Sequence, residues 1–482
     1  MNELIPKIGL EIHLELSTKT KLFCSCKNDP YETEPNKNIC EVCTGQPGVL
    51  PVLNKQAVVF AYSLAKALKM KINNPSYFAR KHYFYPDLPK NYQISQYEKP
   101  LGENGVFEIF REKIKKEIRI RRIHLEEDTG RNVHFGNYSL VDFNRSGVPL
   151  IEIVTEPDLR NSDEVEAFAE ELVLLIRFLK ISEADAEKGQ IRFEANISLA
   201  PGEELGTKVE IKNINSIRAL VEAVDYEIVR QKDAIKRGEK IVRETRGYDE
   251  VKKITFSQRW KEEAEDYRYF PEPDLPPLVI TKEIEESVLT IETPSEYKKR
   301  LIEEYSLSLK EAEILNRYRF LGHFFEEAFS ELIGLIKKRE KTRDLLVNYL
   351  LNDLWGLIQK LNIEFTEKLI SPHEIAHLLY LLETNKISSR LVKEAMEIAL
   401  TQNVKIEDFI KDKEMISDAE ILNEIVNKVL EKYPQSIEDY LNGEEKALEF
   451  IIGQIMRETK GQANPQVVRE IIKDKLRETK ND

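Results

Sequence analysis

Cysteine is nearly absent: the 482-residue chain has four, and all of them lie between positions 24 and 43. So sparse a set does not make a disulfide-stapled secreted scaffold. Apolar residues never run on for the roughly 18 positions that a membrane-crossing helix needs. No charged-then-apolar leader opens the chain either. The expectation is therefore a cytoplasmic protein with no membrane partner, in which thiols stay reduced. Positive charge is not in excess. The net charge is −13, which excludes a chain coated in nucleic acid while leaving room for local basic patches. Two phosphate-binding loops are also missing. There is no Gly-x-x-x-x-Gly-Lys-Ser/Thr segment and no strand followed by Gly-x-Gly-x-x-Gly. A nucleotide, if one binds, is held by neither a P-loop nor a Rossmann fold.

What is present starts with strict alternation. Ile8, Leu10, Ile12, Leu14 and Leu16 fall on one parity, and Glu11, His13 and Glu15 on the other. This predicts a half-buried strand. A row of two carboxylates and an imidazole suits a hard divalent cation such as Mg²⁺; a solvated, salt-bridged edge would show the same pattern. The cysteines follow as two close pairs, Cys24 with Cys26 and Cys40 with Cys43. Their spacing fits a closed tetrahedral zinc site of four thiolates, a staple for a loop over 22–45 with no open position for catalysis.

The length implies two to four domains, and a hydrophobic content of 41% is enough for real cores. Residues 55–69 have helical periodicity. In 80–96, aromatics, prolines and cations interleave, which forbids a continuous helix. That stretch reads as a loop that stacks a base or ribose and offers Lys81 and Lys90 to phosphates, or as an aromatic loop packed on a sheet. Residues 117–128 read as a strand ending in acid. If it stays extended, His124 and Glu126 share one face and Glu127 takes the other. A bulge near Arg121 and Arg122 would exchange them, so the metal-facing carboxylate is left open between Glu126 and Glu127. Residues 140–158 read as a hairpin turning at Arg145-Ser146-Gly147, followed by a helix over 162–179. Two more alternating strands set Arg192, Glu194, Asn196 and Ser198, then Lys208, Glu210 and Lys212, opposite apolar partners. If these polar faces meet on one sheet, carboxylates hold Mg²⁺ and cations neutralise phosphoryl oxygens; an ion-paired sheet face is the bland alternative. Four prolines within 271–277 read as a stiff exit and a domain boundary.

The runs 8–16, 44–54, 83–96, 124–130, 142–158, 207–216 and 266–275 together resemble the GatB/GatE family, and the resemblance covers nearly the whole chain. Its GatB branch is the B subunit of the aspartyl/glutamyl-tRNA(Asn/Gln) amidotransferase. GatE carries an extra inserted domain, for which this chain is too short. The resemblance implies an α+β fold. A mostly antiparallel, glutamine-synthetase-like catalytic cradle over 1–293 is followed by a helical domain over 294–404 and a YqeY-like helical tail over 405–482. It implies ATP-dependent transamidation of Glu-tRNA(Gln), Asp-tRNA(Asn) or both. The side-chain carboxylate is phosphorylated, then amidated with ammonia. Two partners are implied: an amidase, the A subunit, which releases that ammonia from glutamine, and a small C subunit that belts the other two together.

By the same resemblance, the catalytic residues are Glu11, His13, Lys208, Glu210 and Lys212. ATP falls to Lys81, Tyr83, Tyr85, Arg192, Glu194 and Asn196. Mg²⁺ falls to Glu11, His13 and the Glu126–Glu127 pair, and structural zinc to Cys24, Cys26, Cys40 and Cys43. In the tail, Arg457, Lys460, Arg469 and Lys473, with Lys475 nearby, would meet the tRNA backbone; a solvated helix face would look the same. Two residues depart from the family pattern: Glu194 stands where relatives have Asp, and Tyr248 where they have Trp. The alternative function is a zinc-stapled, non-catalytic tRNA-holding scaffold.

Overall fold

The computed structural model describes residues 3–31, 34–260, 267–288, 292–363, 369–411, 419–441, 443–459, 463 and 465–478. The chain divides into two compact units, 1–299 and 300–482.

The first unit opens with β1 (Leu4–Glu15), α1 (Lys55–Ala67), β2 (Lys71–Ile72), β3 (Ala79–His82) and β4 (Tyr92–Ser95). It continues through β5 (Gly102–Arg111), β6 (Ile114–Glu127), β7 (Arg131–Phe135), β8 (Tyr138–Asp142) and β9 (Pro149–Thr155). After α2 (Ser162–Phe178) come β10 (Ile191–Pro201), β11 (Val209–Ile214), α3 (Ile217–Lys236), β12 (Glu244–Asp249) and β13 (Ile254–Trp260). Beyond the undescribed 261–266 lie β14 (Phe270–Pro271) and α4 (Lys282–Ser287), and the boundary at 299 falls within α5 (Pro294–Tyr305).

Among the described residues, nine strands form one sheet in the order β13-β12-β11-β10-β1-β9-β6-β5-β2. Every described pairing in it is antiparallel except β11 with β12. The α+β expectation is met. Alternation decides which face is dry: Ile8, Leu10, Ile12 and Leu14 are fully buried in one cluster with Leu64, Phe168, Leu172 and Leu220 from α1, α2 and α3. Burying each such side chain stabilises the fold by roughly 1.5–3 kcal/mol. The helices begin where side chains can satisfy their first amides. Asn161 accepts from the Glu164 amide at α2, with Asp163 and Glu164 complementing the dipole of its first turn. Ser216 does the same for Ala219 at α3.

Three expectations change. The 140–158 segment is not a hairpin: β8 pairs back with β7, while β9 runs between β1 and β6. Turn residues mark where a chain reverses, not which strand it then pairs with. The 80–96 stretch is not wholly a loop. Its ends form β3 and β4 of a small sheet ordered β14-β3-β4, and Pro86 and Pro89 sit in the connection. The proline-rich stretch is no exit. Phe270 and Pro271 pair with Arg80 and Ala79, and Leu278, Ile280 and Ile284 enter the main core.

The described part of the second unit is helical. Its helices include Leu309–Arg317, Arg319–Ile336, Pro372–Glu383 and Ser389–Gln402. A longer helix runs Arg339–Leu361, with wider turns over Val347–Leu354. Near the end, Leu422, Val426, Ile451, Ile455, Val468 and Ile472 close a core of their own.

Candidate active site

The polar face of the large sheet is organised by register. Antiparallel pairing sets Glu11 directly opposite Glu194, and His13 opposite Arg192 on one side and Glu152 on the other. Glu152 in turn faces His124, and Asn196 faces Glu210. Five adjacent strands, β11, β10, β1, β9 and β6, thus carry one continuous row of ionisable groups.

The row is tight. His13 Nε2 lies 3.5 Å from Glu126 Oε1 and 3.8 Å from Glu152 Oε2. His124 Nε2 lies 3.4 Å from Glu126 and 3.2 Å from Glu152. Three overlapping groups have ligand atoms all within 4.8 Å of one another: Glu11, His13 and Glu152; His124, Glu126 and Glu152; and Glu11, Glu194 and Glu210. Burial, then the charges of Glu152 and Glu194, raise the Glu11 carboxyl to about 7. Burial opposes charging His124, but Glu152 and Glu126 outweigh it and raise the imidazole to about 9. Carboxylates pressed together in this way are what a bound cation relieves. The donor set, oxygens with imidazole, fits a hard divalent ion.

Cations border the row. Lys212 Nζ is 2.9 Å from Glu194 Oε2, and Arg122 is 3.5 Å from Glu152. Lys81 lies 4.8 Å from the Tyr267 ring centre, and Tyr83 meets Tyr267 edge-on. Burial disfavours the charge of Lys81, but Glu126, Glu152 and Glu11 raise its pKa. These placements bring together Glu11, His13, Lys81, Tyr83, Glu126, Glu194, Glu210 and Lys212.

Glu126 and Glu127 have different surroundings. A bulge between Ile120 and Arg122 precedes the segment, and after it Glu126 faces the histidines. Glu127 instead engages Lys90 and accepts from the Ile94 amide at 3.0 Å. It belongs to none of the three ligand groups, so Glu127 and Lys90 are occupied with each other. Arg192 reaches Asp128 at 3.4 Å. Tyr85 is exposed, and Lys208 is exposed on the approach to β11.

Two members of the row were not anticipated as site residues, Glu152 and His124. The available signal was a lone carboxylate inside the apolar run Leu150-Ile-Glu-Ile-Val154. Glu210 has a further partner, since Thr245 Oγ donates to it at 2.8 Å. Tyr248 is buried and donates to Glu222 at 3.0 Å.

Four cysteines converge beside this sheet. Their sulfurs all lie within 4.8 Å of one another, and Cys40 and Cys43 Sγ are 3.9 Å apart. A tetrahedron with metal–sulfur bonds of 2.3 Å has edges of about 3.8 Å, so the set fits zinc. The thiols are free of disulfides, and a hydrogen bond from Cys24 lowers Cys43 to about 5.

In the second unit, Arg457 and Lys473 are exposed, on the helices Glu445–Glu458 and Pro465–Glu478. Arg469 pairs with Glu449 at 2.6 Å. Lys475 is half-buried. Lys460 lies outside the described residues.

A family profile described as the GatB/GatE catalytic domain matches residues 6–286, and one described as the GatB domain matches 327–476. The chain belongs to the GatB/GatE family. It is similar to the B subunit of the aspartyl/glutamyl-tRNA(Asn/Gln) amidotransferase of Carboxydothermus hydrogenoformans, at 45% identity over 487 residues and 99% of each chain. The protein of the same name from Thermotoga maritima is 45% identical over 483 residues, 98% of each chain. That of Persephonella marina is 44% identical over 481 residues, covering 98% of this chain and all of the relative. No helix among the described residues is long and apolar enough to cross a membrane.

Proposed function

We propose that the chain is the B subunit of a cytoplasmic, glutamine-hydrolysing aminoacyl-tRNA amidotransferase, assembled with its A and C partners. Its reaction is ATP-dependent conversion of Glu-tRNA(Gln), Asp-tRNA(Asn) or both to the amide. The observation that carries this reading is the cross-strand row Glu210–Glu194–Glu11–His13–Glu152–His124–Glu126 in a family member matched over nearly its whole length.

Glu11, His13, Glu126, Glu152, Glu194 and Glu210 would hold Mg²⁺, which when bound with ATP supplies charge neutralisation at the phosphates. The side chains do the rest by positioning and electrostatics. Lys212 and Lys81 stand at the rim of the row, where they can meet phosphoryl oxygens. Tyr83 flanks Lys81 and offers a ring face to the nucleotide. Arg192 holds Asp128 and so steadies the end of β6. The chemistry needs no protein nucleophile: the aminoacyl carboxylate attacks the γ-phosphorus of ATP and ADP leaves, and ammonia from the amidase partner then adds to the acyl carbon, with loss of a proton and departure of phosphate.

Glu194 is one methylene longer than the Asp of relatives, yet it stays within ligand reach of Glu11 and Glu210. The four cysteines hold zinc as a structural staple. The helical region comprises a domain over 294–404 and a tail over 405–482, a division supported by the separate core of 422–476. Arg457, Lys460, Arg469 and Lys473 in the tail meet the tRNA backbone.

The test is co-expression with the A and C partners, followed by assay of ADP and amide formation on each misacylated tRNA. Amide formation that is lost with Glu11→Ala supports the reading. Binding of tRNA with no ATP turnover would leave a scaffold.

A further inference from the structure

Lys21 is fully buried. Its ammonium meets the Asn38 carbonyl at 2.9 Å, the Phe143 carbonyl at 3.5 Å and Cys43 Sγ at 3.7 Å, none of them a carboxylate. A desolvated ammonium is costly unless negative charge lies beside it. Four thiolates around one divalent ion carry net negative charge, and Cys43 is the member that Lys21 touches.

The same lysine touches the turn over 142–147. That turn is tied to the cysteine loop along its whole length. The Asn36 amide donates to Asp142 at 3.0 Å, and the Asn38 amide to Asn144 at 2.9 Å. Ser146 Oγ donates to the Cys43 carbonyl at 2.9 Å, and the Leu22 amide to the Gly147 carbonyl at 2.9 Å. Arg145 is the side chain that the turn presents to the sheet. It reaches Asp128 at 2.6 Å and Glu15 at 3.2 Å, at the ends of β6 and β1, the two strands that carry Glu126 and Glu11. Arg145 also lines a charged cavity of about 380 Å³ with Glu15, Tyr31, Arg131, Asp142 and Lys188.

We propose that Lys21 is the counter-cation of the metal held by the four cysteines, and that through it occupancy of that site fixes the turn that aims Arg145. The inference rests on the zinc reading above. Lys21 is a positioning residue: it touches neither the carboxylate row nor substrate.

The test uses the full chain. Zinc affinity is measured by competition with a chromophoric chelator, and the Co²⁺-substituted site is read by its thiolate-to-metal absorption band. Hydrogen exchange is followed over 141–147. Lys21→Met keeps the buried methylenes and removes the charge. The expected result is zinc binding weakened by ~10-fold or more, a shifted Co²⁺ band, and faster exchange over 141–147, with Lys21→Arg restoring part of each. Zinc affinity and band unchanged in Lys21→Met would overturn the counter-cation role. Should that variant not fold, chelation of the wild-type chain decides: exchange over 141–147 that does not change when zinc leaves overturns the coupling. A wild-type chain that takes up no zinc in the same titration removes the zinc reading itself, a distinct outcome.

Discussion

Glu11 on β1 and Glu194 on β10 stand directly opposite each other in register, with Lys212 closing on Glu194 at 2.9 Å. Like charges in that relation are destabilising unless something lies between or beside them. Glu11→Gln keeps the shape and removes one charge. Expected is a loss of about 10²- to 10³-fold in amide-forming rate, with an unchanged circular dichroism spectrum. A rate near wild type would remove Glu11 from the reaction.

Glu126 and Glu127 separate cleanly in a Mg²⁺ titration. Glu126 faces both histidines, whereas Glu127 is held by Lys90 and the Ile94 amide. Glu126→Gln should raise the Mg²⁺ concentration for half-maximal activity by ~10-fold or more. Glu127→Gln should leave that concentration where it is. The reverse outcome would put the wrong carboxylate at the metal.

Glu15 sets a pH dependence of stability. Burial lifts its carboxyl from 4.5 to about 7, with Asp128 adding and Arg145 opposing. The folded chain therefore holds this proton where the unfolded chain has lost it, and stability falls as pH rises from about 4.5 to 7. The drop is of order 2–3 kcal/mol. Urea midpoints across that window should slope downward in the wild type and less steeply in Glu15→Gln. Parallel slopes would contradict the assignment.

Lys298 and Glu171 form a buried pair at 2.5 Å, and the Phe110 carbonyl also meets the ammonium. Lys298→Met leaves Glu171 with Arg111, 3.4 Å away, as its remaining cation, and chemical denaturation should show a loss of about 3 kcal/mol, the low end for breaking a buried pair. Adding Glu171→Gln should recover much of it. If the double variant is no better than the single, the pair is not the source of the cost.

The sequence disclosed most where one physical rule dominated. In β1 and β10 the pleat alternates, one face is dry, and the residue types say which. Glu11, His13, Glu194 and the cysteine quartet were legible for that reason or from spacing. Glu152 was not, because its neighbours on the same parity, Leu150 and Val154, are apolar like Ile151 and Ile153, so the segment shows no alternation. The choice between Glu126 and Glu127 hung on a bulge at Arg121, a backbone irregularity that no glycine marks. The pairing of β8 with β7, and the return of 270–280 to the core, are long-range choices that local turn chemistry cannot encode.

That return has a cost during synthesis. β3 is the middle strand of its small sheet, yet one of its two neighbours, Phe270–Pro271, is made some 190 residues after it. At ordinary ribosome speeds the wait is on the order of ten to forty seconds. Throughout it the nascent chain presents an unpaired β edge next to Tyr83 and Phe84, the kind of edge that invites a stranger strand. A chain cut short before Phe270 would carry its row of acids largely assembled and an adhesive seam beside it.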